Sequence, residues 1–475
     1  MPVGHDEPVE RVVIVGGGPG GYEAALVAAQ LGAEVVVVDS DGLGGSAVLT
    51  DCVPSKTLIA TSDLMSEVAG AGELGVRLAA APGTDLRQRV SVDLPRVNAR
   101  VKALARAQSD DIAGRLDKEG VHVRRGFGVL DGPQHVVVRG ERGQDASEER
   151  LSADVVLVAT GAHPRVVDTA LPDGERILTW EQVYDLDELP ERLVVVGSGV
   201  TGAEFAGAYQ ALGSDVVLVS SRDLVLPGED ADAARVIEDV FTRRGMSVLA
   251  GSRMAGVERV GAEVEVTLTD GRTVTGSHCL LALGSVPNTD GLGLVEAGVG
   301  VDDAGYVSVD GVSRTSARGV YAAGDCTGVL MLASVAAMQG RIAMWHALGD
   351  AVRPLDLKTV SSNVFTAPEI ATVGWTQRSV EAGEIEVDAV TLDLSGNARA
   401  KMAGVRDGFV KLFCRPGAGT LVGGVVVAPR ASELIHPIAI AVGTGLTADQ
   451  VANAFSVYPS MSGSIAEAAR RLHHR

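Results

Sequence analysis

The feature that most constrains the fold is a pattern that occurs twice. Arg11-Val12-Val13-Ile14-Val15 has the aliphatic run of a buried strand and leads at once into Gly16-Gly17-Gly18-Pro19-Gly20-Gly21. Tyr22 to Ala29 follows, rich in helix formers. Leu193-Val194-Val195-Val196, then Gly197-Ser198-Gly199-Val200-Thr201-Gly202, then Ala203-Glu204-Phe205-Ala206 repeat that order. Each copy reads as strand, G-x-G-x-x-G turn and helix. Gly16 and Gly197 make the tight turn, and Gly18 and Gly199 let backbone approach a pyrophosphate. Gly21 and Gly202 let helix and strand pack closely. The helix N-terminus adds its N–H groups and the positive end of its dipole. Two such units predict an α/β chain with two Rossmann-like dinucleotide-binding domains. One dinucleotide would be held permanently and the other exchanged.

The two copies differ where the second strand ends. Val35-Val36-Val37-Val38 ends in Asp39, placed to bind the hydroxyls of an adenosine ribose. Asp215 to Val219 ends in Ser220, at the same offset, followed by Ser221 and Arg222. A carboxylate there would repel a 2′-phosphate, whereas a nearby arginine accommodates it. Ser220 and Arg222 therefore favour NADP, with NAD use left open. Arg222 could instead be a solvated loop residue, and Asp223 beside it weakens the case.

At 475 residues the chain has room for about three ordinary domains. Aromatics make up only 3% of it against 46% hydrophobic residues, so the core must be aliphatic, which suits doubly covered parallel sheets. A net charge of −20 argues against nucleic acid or an anionic membrane as partner. Cys52, Cys279, Cys326 and Cys414 are too scattered for a disulfide framework, and no Cys/His spacing reads as a metal site. No apolar run is long enough to span a membrane, and Met1 to Arg11 has no apolar signal stretch. A cytoplasmic protein with no integral membrane segment is expected.

Four further segments narrow the reading. Gly44-Gly45-Ser46-Ala47-Val48-Leu49-Thr50-Asp51-Cys52-Val53-Pro54-Ser55-Lys56 follows the first unit, and Val158-Ala159-Thr160-Gly161 precedes the second. Ala282-Leu283-Gly284-Ser285-Val286-Pro287-Asn288 and Val320-Tyr321-Ala322-Ala323-Gly324-Asp325 come later. With these residues the chain resembles the pyridine nucleotide-disulfide oxidoreductases, in particular the lipoamide dehydrogenase and glutathione reductase group, over essentially its whole length. The resemblance implies an FAD-binding domain in two parts, residues 1–160 and 285–352, and an NAD(P)-binding domain over 161–284. Residues 353–475 would form a C-terminal α+β dimerisation domain, making the protein a homodimer. It also implies FAD and NAD(P) contacts at Gly45, Ser46, Lys56, Thr160, Gly161, Gly284, Gly324 and Asp325, beside the two glycine-rich turns. Ser285 stands where many members carry arginine.

Against that resemblance one device is missing. The family's redox disulfide joins two cysteines five positions apart; here the first is Ala47 and only Cys52 remains. The family's C-terminal histidine, followed by proline and an orienting glutamate, shuttles protons for a dithiol across the dimer interface. This chain has Tyr458-Pro459 and, at the glutamate position, Gly463. A phenol with a pKa near 10 is poorly suited to proton transfer near neutrality. The family's lysine near flavin N5 and its glutamate partner are both filled, by Lys56 and Glu204. Alternatively Glu204 complements a helix dipole and Lys56 is merely solvated. Cys52 is either a flavin-proximal thiol of lowered pKa or a small packing residue. The expectation is an FAD-dependent NAD(P)H dehydrogenase that passes electrons directly to a quinone, as in the branch of the family it resembles. Cys52, Lys56, Glu204 and Tyr458 are its catalytic candidates. Dihydrolipoyl dehydrogenase-like activity, transhydrogenation, peroxide reduction through a Cys52 sulfenate and redox sensing stay open.

Overall fold

The computed structural model describes residues 9–76, 90–140 and 148–473, which form two compact units. The first draws on the described residues within 1–55, 100–165 and 285–356. Its centre is a parallel sheet in the order Val320–Ala322, Val155–Val158, Arg11–Val15, Glu34–Asp39, His122–Arg125. Val12 to Val15 are buried on both faces, as a doubly covered parallel strand requires. The helix Pro19–Gln30 lies on one face through Ala24, Ala25 and Ala28. The helix Ala333–Ala347 packs on it so closely that a Cβ on Gly340 would lie 2.0 Å from the Gly20 carbonyl oxygen. A three-stranded antiparallel sheet (Phe127–Leu130, His135–Arg139, Glu149–Ser152) packs Leu130, Val136 and Val138 onto Val13 and Val15 on the other face. Small alanines on one side and branched aliphatics on the other build this core almost without aromatic rings.

The second unit draws on the described residues within 56–99, 166–284 and 357–475. It repeats the parallel arrangement in the order Ser247–Leu249, Asp215–Val219, Arg192–Val196, His278–Leu281, Ile177–Thr179. An antiparallel meander, Met254–Val260, Glu263–Leu268 and Thr273–Gly276, packs Val257, Val264 and Val266 against Val194 and Val196. The same unit carries an antiparallel sheet in the order Ser361–Val364, Glu369–Gly374, Leu421–Ala428, Phe409–Cys414, Asp388–Asp393. The helices Ala431–Thr444 and Gly463–Arg471 close its core through Ile435, Ile438, Ile465 and Ala468. Lys411 sits in the fully buried strand Phe409–Cys414, where its ammonium meets Asp230 at 2.8 Å and Asp232 at 2.7 Å. Asp230 also caps the helix Ala231–Arg243 by accepting from the N–H groups of Asp232 and Ala233. The result is the mixed α/β architecture expected from the paired strand–turn–helix units. Among the described residues, no helix is long and apolar enough to cross a membrane.

Candidate functional site

The first glycine-rich turn joins the strand Arg11–Val15 to the helix Pro19–Gln30. Gly16 has φ +105°, and a Cβ there would lie 2.3 Å from the Ala159 carbonyl oxygen. A Cβ on Gly21 would lie 1.8 Å from the Gly16 oxygen, so no side chain is compatible with this turn at either position. Gly18 heads the helix, and a Cβ there would touch only Gly45 Cα, at 3.9 Å. Asp39 closes the turn from the side. Its Oδ2 accepts from Gly17 N at 2.7 Å, and its Oδ1 accepts from Asp41 N at 3.0 Å and Gly42 N at 2.5 Å.

Against this turn comes the segment in which the family carries its disulfide. It breaks into a short helix, Gly45–Leu49, and a long one, Cys52–Gly70. Gly45 sits at φ +56°, where a Cβ would lie 2.8 Å from Gly18 Cα, so two glycines are needed for this approach. The break is held by Thr50 N and Asp51 N, which both donate to the Ser46 carbonyl. Ser46 is exposed, while Ala47 and Cys52 are half-buried. None of the four cysteines is in a disulfide. Cys279 and Cys326 lie in the core and Cys414 in a buried strand, and burial raises all three thiols, Cys326 to about 11.

Thr160 and Gly161 meet Asn288 in a closed set of bonds. Thr160 Oγ1 donates to the Asn288 carbonyl at 2.6 Å, Asn288 Nδ2 to the Thr160 carbonyl, and Asn288 N to that of Gly161. This joins the short antiparallel strands Ala162–Pro164 and Ser285–Pro287. Gly324, at φ +85°, donates its N–H to the buried Gln339 Oε1 at 2.8 Å, just before Asp325. Burial, with Asp51 nearby, pushes the Asp325 carboxyl up to about 6.

In the second unit Gly197 has φ +109°, with a hypothetical Cβ 2.2 Å from the Ala282 oxygen, and one on Gly202 would lie 1.8 Å from the Gly197 oxygen. Gly199 and Gly284 have open space where a Cβ would stand. Ser220 is fully buried: its hydroxyl meets Ser198 Oγ at 2.7 Å, donates to the Arg222 carbonyl at 2.9 Å and accepts from Arg222 N at 3.1 Å. It therefore bears on a bound nucleotide by what it lacks, a charge, more than by contact. The Arg222 side chain is exposed.

Lys56 and Glu204 come together. Lys56 Nζ lies 2.8 Å from Glu204 Oε2, and Glu204, only 3% exposed, accepts from Phe365 N at 2.8 Å with its other oxygen. The Lys56 ammonium stands 4.9 Å from the centre of the Phe365 ring, within cation–π range. Phe365 was not among the sequence candidates, and nothing local in sequence marks it; nor was Asn288 or Gln339. Tyr458 is 86% exposed, beside exposed Phe455 and Val457. Gly463 opens the helix Gly463–Arg471 and donates to Ser460 Oγ at 3.1 Å. His473 pairs with Asp449 at 2.7 Å, and His474 lies outside the described residues.

Paired nucleotide turns, a break-and-helix segment facing the first, and a lysine of that segment paired with a glutamate on the helix Val200–Leu212 of the second define a two-dinucleotide flavoprotein oxidoreductase. The chain belongs to the pyridine nucleotide-disulphide oxidoreductase family, which it matches over residues 10–340, with that family's dimerisation domain over residues 360–469. It is 56% identical over 470 residues to the NAD(P)H dehydrogenase (quinone) of Mycobacterium tuberculosis, covering 98% of this chain and 94% of that one. It is 31% identical over 459 residues to the dihydrolipoyl dehydrogenase of Bacillus subtilis, covering 96% and 97%. The crystal structure of LpdA from Mycobacterium tuberculosis superposes with a TM-score of 0.92 at 54% identity, covering 98% of this chain and all of that one. Membership of this family means binding of FAD and of NAD(P).

Proposed function

We propose that this protein is an FAD-dependent NAD(P)H dehydrogenase that hands electrons to a quinone without a thiol relay. The observation that carries the reading is Ala47 at the place of the first redox cysteine, with Cys279, Cys326 and Cys414 buried elsewhere and unable to replace it. The name of the 56% identical relative points to the same acceptor. FAD fits the first turn: Gly16 and Gly21 hold the tight backbone, Gly18 leaves open space that a side chain would fill, and Asp39 and Asp325 offer carboxylates to hydroxyls. FAD, when bound, supplies the two-electron chemistry between nicotinamide and acceptor.

The chain's own residues supply position and charge. Lys56, held by the buried Glu204, keeps a cation fixed where negative charge grows during reduction, and such preorganised charge lowers the barrier. Ala47 leaves room on the acceptor side that a second sulfur would take. Tyr458, by the resemblance, would face the partner subunit's acceptor pocket in a homodimer, where its ring could stack on a quinone. The domain division 1–160, 161–284, 285–352 and 353–475 belongs to this reading. So does a preference for NADPH, which rests on Ser220 and Arg222.

Anaerobic stopped-flow tests it. NADPH should bleach the yellow holoenzyme in one step, and a short-chain quinone should restore the colour, with no turnover of dihydrolipoamide. Tyr458→Ala should lower kcat/KM for quinone by roughly fivefold to thirtyfold, from aromatic and hydrogen-bond magnitudes of about 1–2 kcal/mol, and leave the bleaching rate unchanged. Robust dihydrolipoamide turnover would sink the proposal.

A further inference from the structure

Phe365 reaches both members of the Lys56–Glu204 pair. Its backbone N–H donates to Glu204 Oε1 at 2.8 Å, and its ring centre lies 4.9 Å from Lys56 Nζ, which itself meets Glu204 Oε2 at 2.8 Å. Three stretches far apart in sequence therefore close on one cation: the helix Cys52–Gly70, the helix Val200–Leu212 and the C-terminal domain. Glu204 lies beyond the first turn of its helix, where the dipole has faded, and both its oxygens are committed to this cluster.

Phe365 can hold the cation because it is itself held. It directly follows the edge strand Ser361–Val364, and Val364 pairs with Ile370 of the next strand, Glu369–Gly374. Phe365 to Pro368 alone connect the two strands, and Thr366, 4% exposed, donates Oγ1 to the Pro368 carbonyl at 2.7 Å. The sheet thus fixes the backbone at 365. A lysine ammonium, by contrast, is strongly hydrated and sits on a flexible stem, and Lys56 is 29% exposed. The aromatic face adds to the carboxylate a second attraction, which the cation would forfeit by swinging into water.

We propose that Phe365 is a positioning residue for flavin reduction: its ring and its backbone N–H fix the Lys56 ammonium on Glu204, so that the C-terminal domain helps set the charge in its own chain's flavin site. The proposal rests on the reading of Lys56 as the cation beside the flavin.

The test varies the ring and leaves the N–H bond in place. Phe365→Leu removes the aromatic face and Phe365→Tyr keeps it. Phenylalanines carrying one, two or three ring fluorines at 365 keep the shape and weaken the attraction stepwise. In anaerobic stopped-flow at saturating NADPH, Phe365→Leu should bleach the holoenzyme about threefold to tenfold more slowly. The fluorinated series should fall stepwise toward that rate, and Phe365→Tyr should stay within about twofold of the wild type. The second readout needs no turnover. In the resting holoenzyme, an amine-reactive reagent should modify Lys56 faster in the same order, by at least about threefold for Phe365→Leu, as followed by mass spectrometry.

Lys411, 3% exposed, should keep its low reactivity throughout. If it rises in Phe365→Leu, that variant has opened, and the fluorinated series, which fills the same space, decides alone. A flat series in either readout overturns the proposal. So does Phe365→Leu slowing Lys56→Met as much as it slows the wild type, since a residue acting through Lys56 has nothing to act on there. If Lys56→Met bleaches at the wild-type rate, the reading of Lys56 falls and the proposal with it. If Lys56→Met is slow and the fluorinated series is flat, the proposal falls alone.

Discussion

Gly16 and Gly197 take nearly the same positive φ, +105° and +109°, and in each turn the third glycine would drive a Cβ to 1.8 Å from the carbonyl of the first. The turns separate in what surrounds them. Over Gly18 lies Gly45, so close that its own Cβ would be 2.8 Å away; around Gly199 nothing stands within 4 Å of a Cβ. Beside the first turn sits a carboxylate engaging three N–H groups; beside the second sits a neutral, saturated hydroxyl. One scaffold thus serves two tasks. A turn covered by a second segment and lined with carboxylates suits a nucleotide that stays, and an uncovered one suits a nucleotide that comes and goes.

The largest expected effect tests the shared part of the comparison. Gly21→Ala and Gly202→Ala each push a methyl into a carbonyl that belongs to a packed strand end, where overpacking costs about 1–3 kcal/mol or more. Gly21→Ala should yield protein without yellow colour. Gly202→Ala should retain its FAD and lose more than about a hundredfold in kcat/KM for NADPH, the factor that about 3 kcal/mol of lost binding gives. Loss of FAD from both variants alike would show that the turns are not independent sites.

The second concerns the charge difference between the sites. The Asp325 carboxyl is raised from its ordinary 3.8 to about 6 by burial and by Asp51. The folded, FAD-free protein then holds that proton more tightly than the unfolded chain does. Its stability should fall as pH rises from about 4 to about 6, and the loss is complete at neutrality. Two pH units correspond to at most about 3 kcal/mol, less whatever solvent screens. Asp325→Asn should therefore stabilise the FAD-free protein at pH 7.5 in urea unfolding, not at pH 4, while weakening FAD retention. Asp63, raised to about 6 by burial and by Glu369 and Glu67, titrates in the same window and cancels in the difference between variant and wild type. No stabilisation at pH 7.5 would remove Asp325 as the strained group.

How far this was legible from the residues depends on the range of each interaction. The turns could be read because each glycine answers a demand made within a few residues of it. The parallel sheets could be read because strands buried on both faces are aliphatic throughout. The edge strand Asp388–Asp393 could not: its residues alternate between half-buried and exposed, and it carries acids at both ends, so it lacks a core signal. The pairing of Lys56 with Glu204 came from resemblance, yet Phe365, which holds both, is 161 residues from Glu204 in sequence and donates through its backbone, which no residue type announces. Ser220 was legible as a missing carboxylate. Ser198 opposite it was not, since it occupies a position where the turn pattern accepts any residue.

A third, smaller effect is expected on the helix of the second turn. Lys56→Met leaves Glu204 in the core with, among the described residues, the Phe365 N–H alone, and the Lys56 side chain is 29% exposed, so part of the pair's worth is already screened. Reduction by NADPH should slow by roughly tenfold to a hundredfold, the loss of about 1.4–2.7 kcal/mol of barrier lowering. Glu204→Gln, which can still accept from Phe365, should cost less. An unchanged bleaching rate in Lys56→Met would reduce the pair to a packing device.

The smallest effect probes the uncovered rim of the second turn. Arg222 is anchored through its backbone: its N–H donates to Ser220 Oγ at 3.1 Å, and its carbonyl accepts from Ser220 Oγ and from Gly251 N, each at 2.9 Å. Truncating the side chain therefore leaves the loop in place and removes only a charge that stands in solvent. An exposed charge pair is worth about 1 kcal/mol at best. Arg222→Ala should lower kcat/KM for NADPH by about fivefold or less and leave NADH untouched, since only the former carries a 2′-phosphate. The difference should shrink as salt is raised, because ions screen exposed charges beyond roughly 8–10 Å. Asp223, next in the chain and exposed, would repel the same phosphate, so Asp223→Asn should act in the opposite direction. If Arg222→Ala changes both donors equally at every salt concentration, the arginine is a solvated loop residue. Donor choice would then rest on the uncharged Ser220 alone.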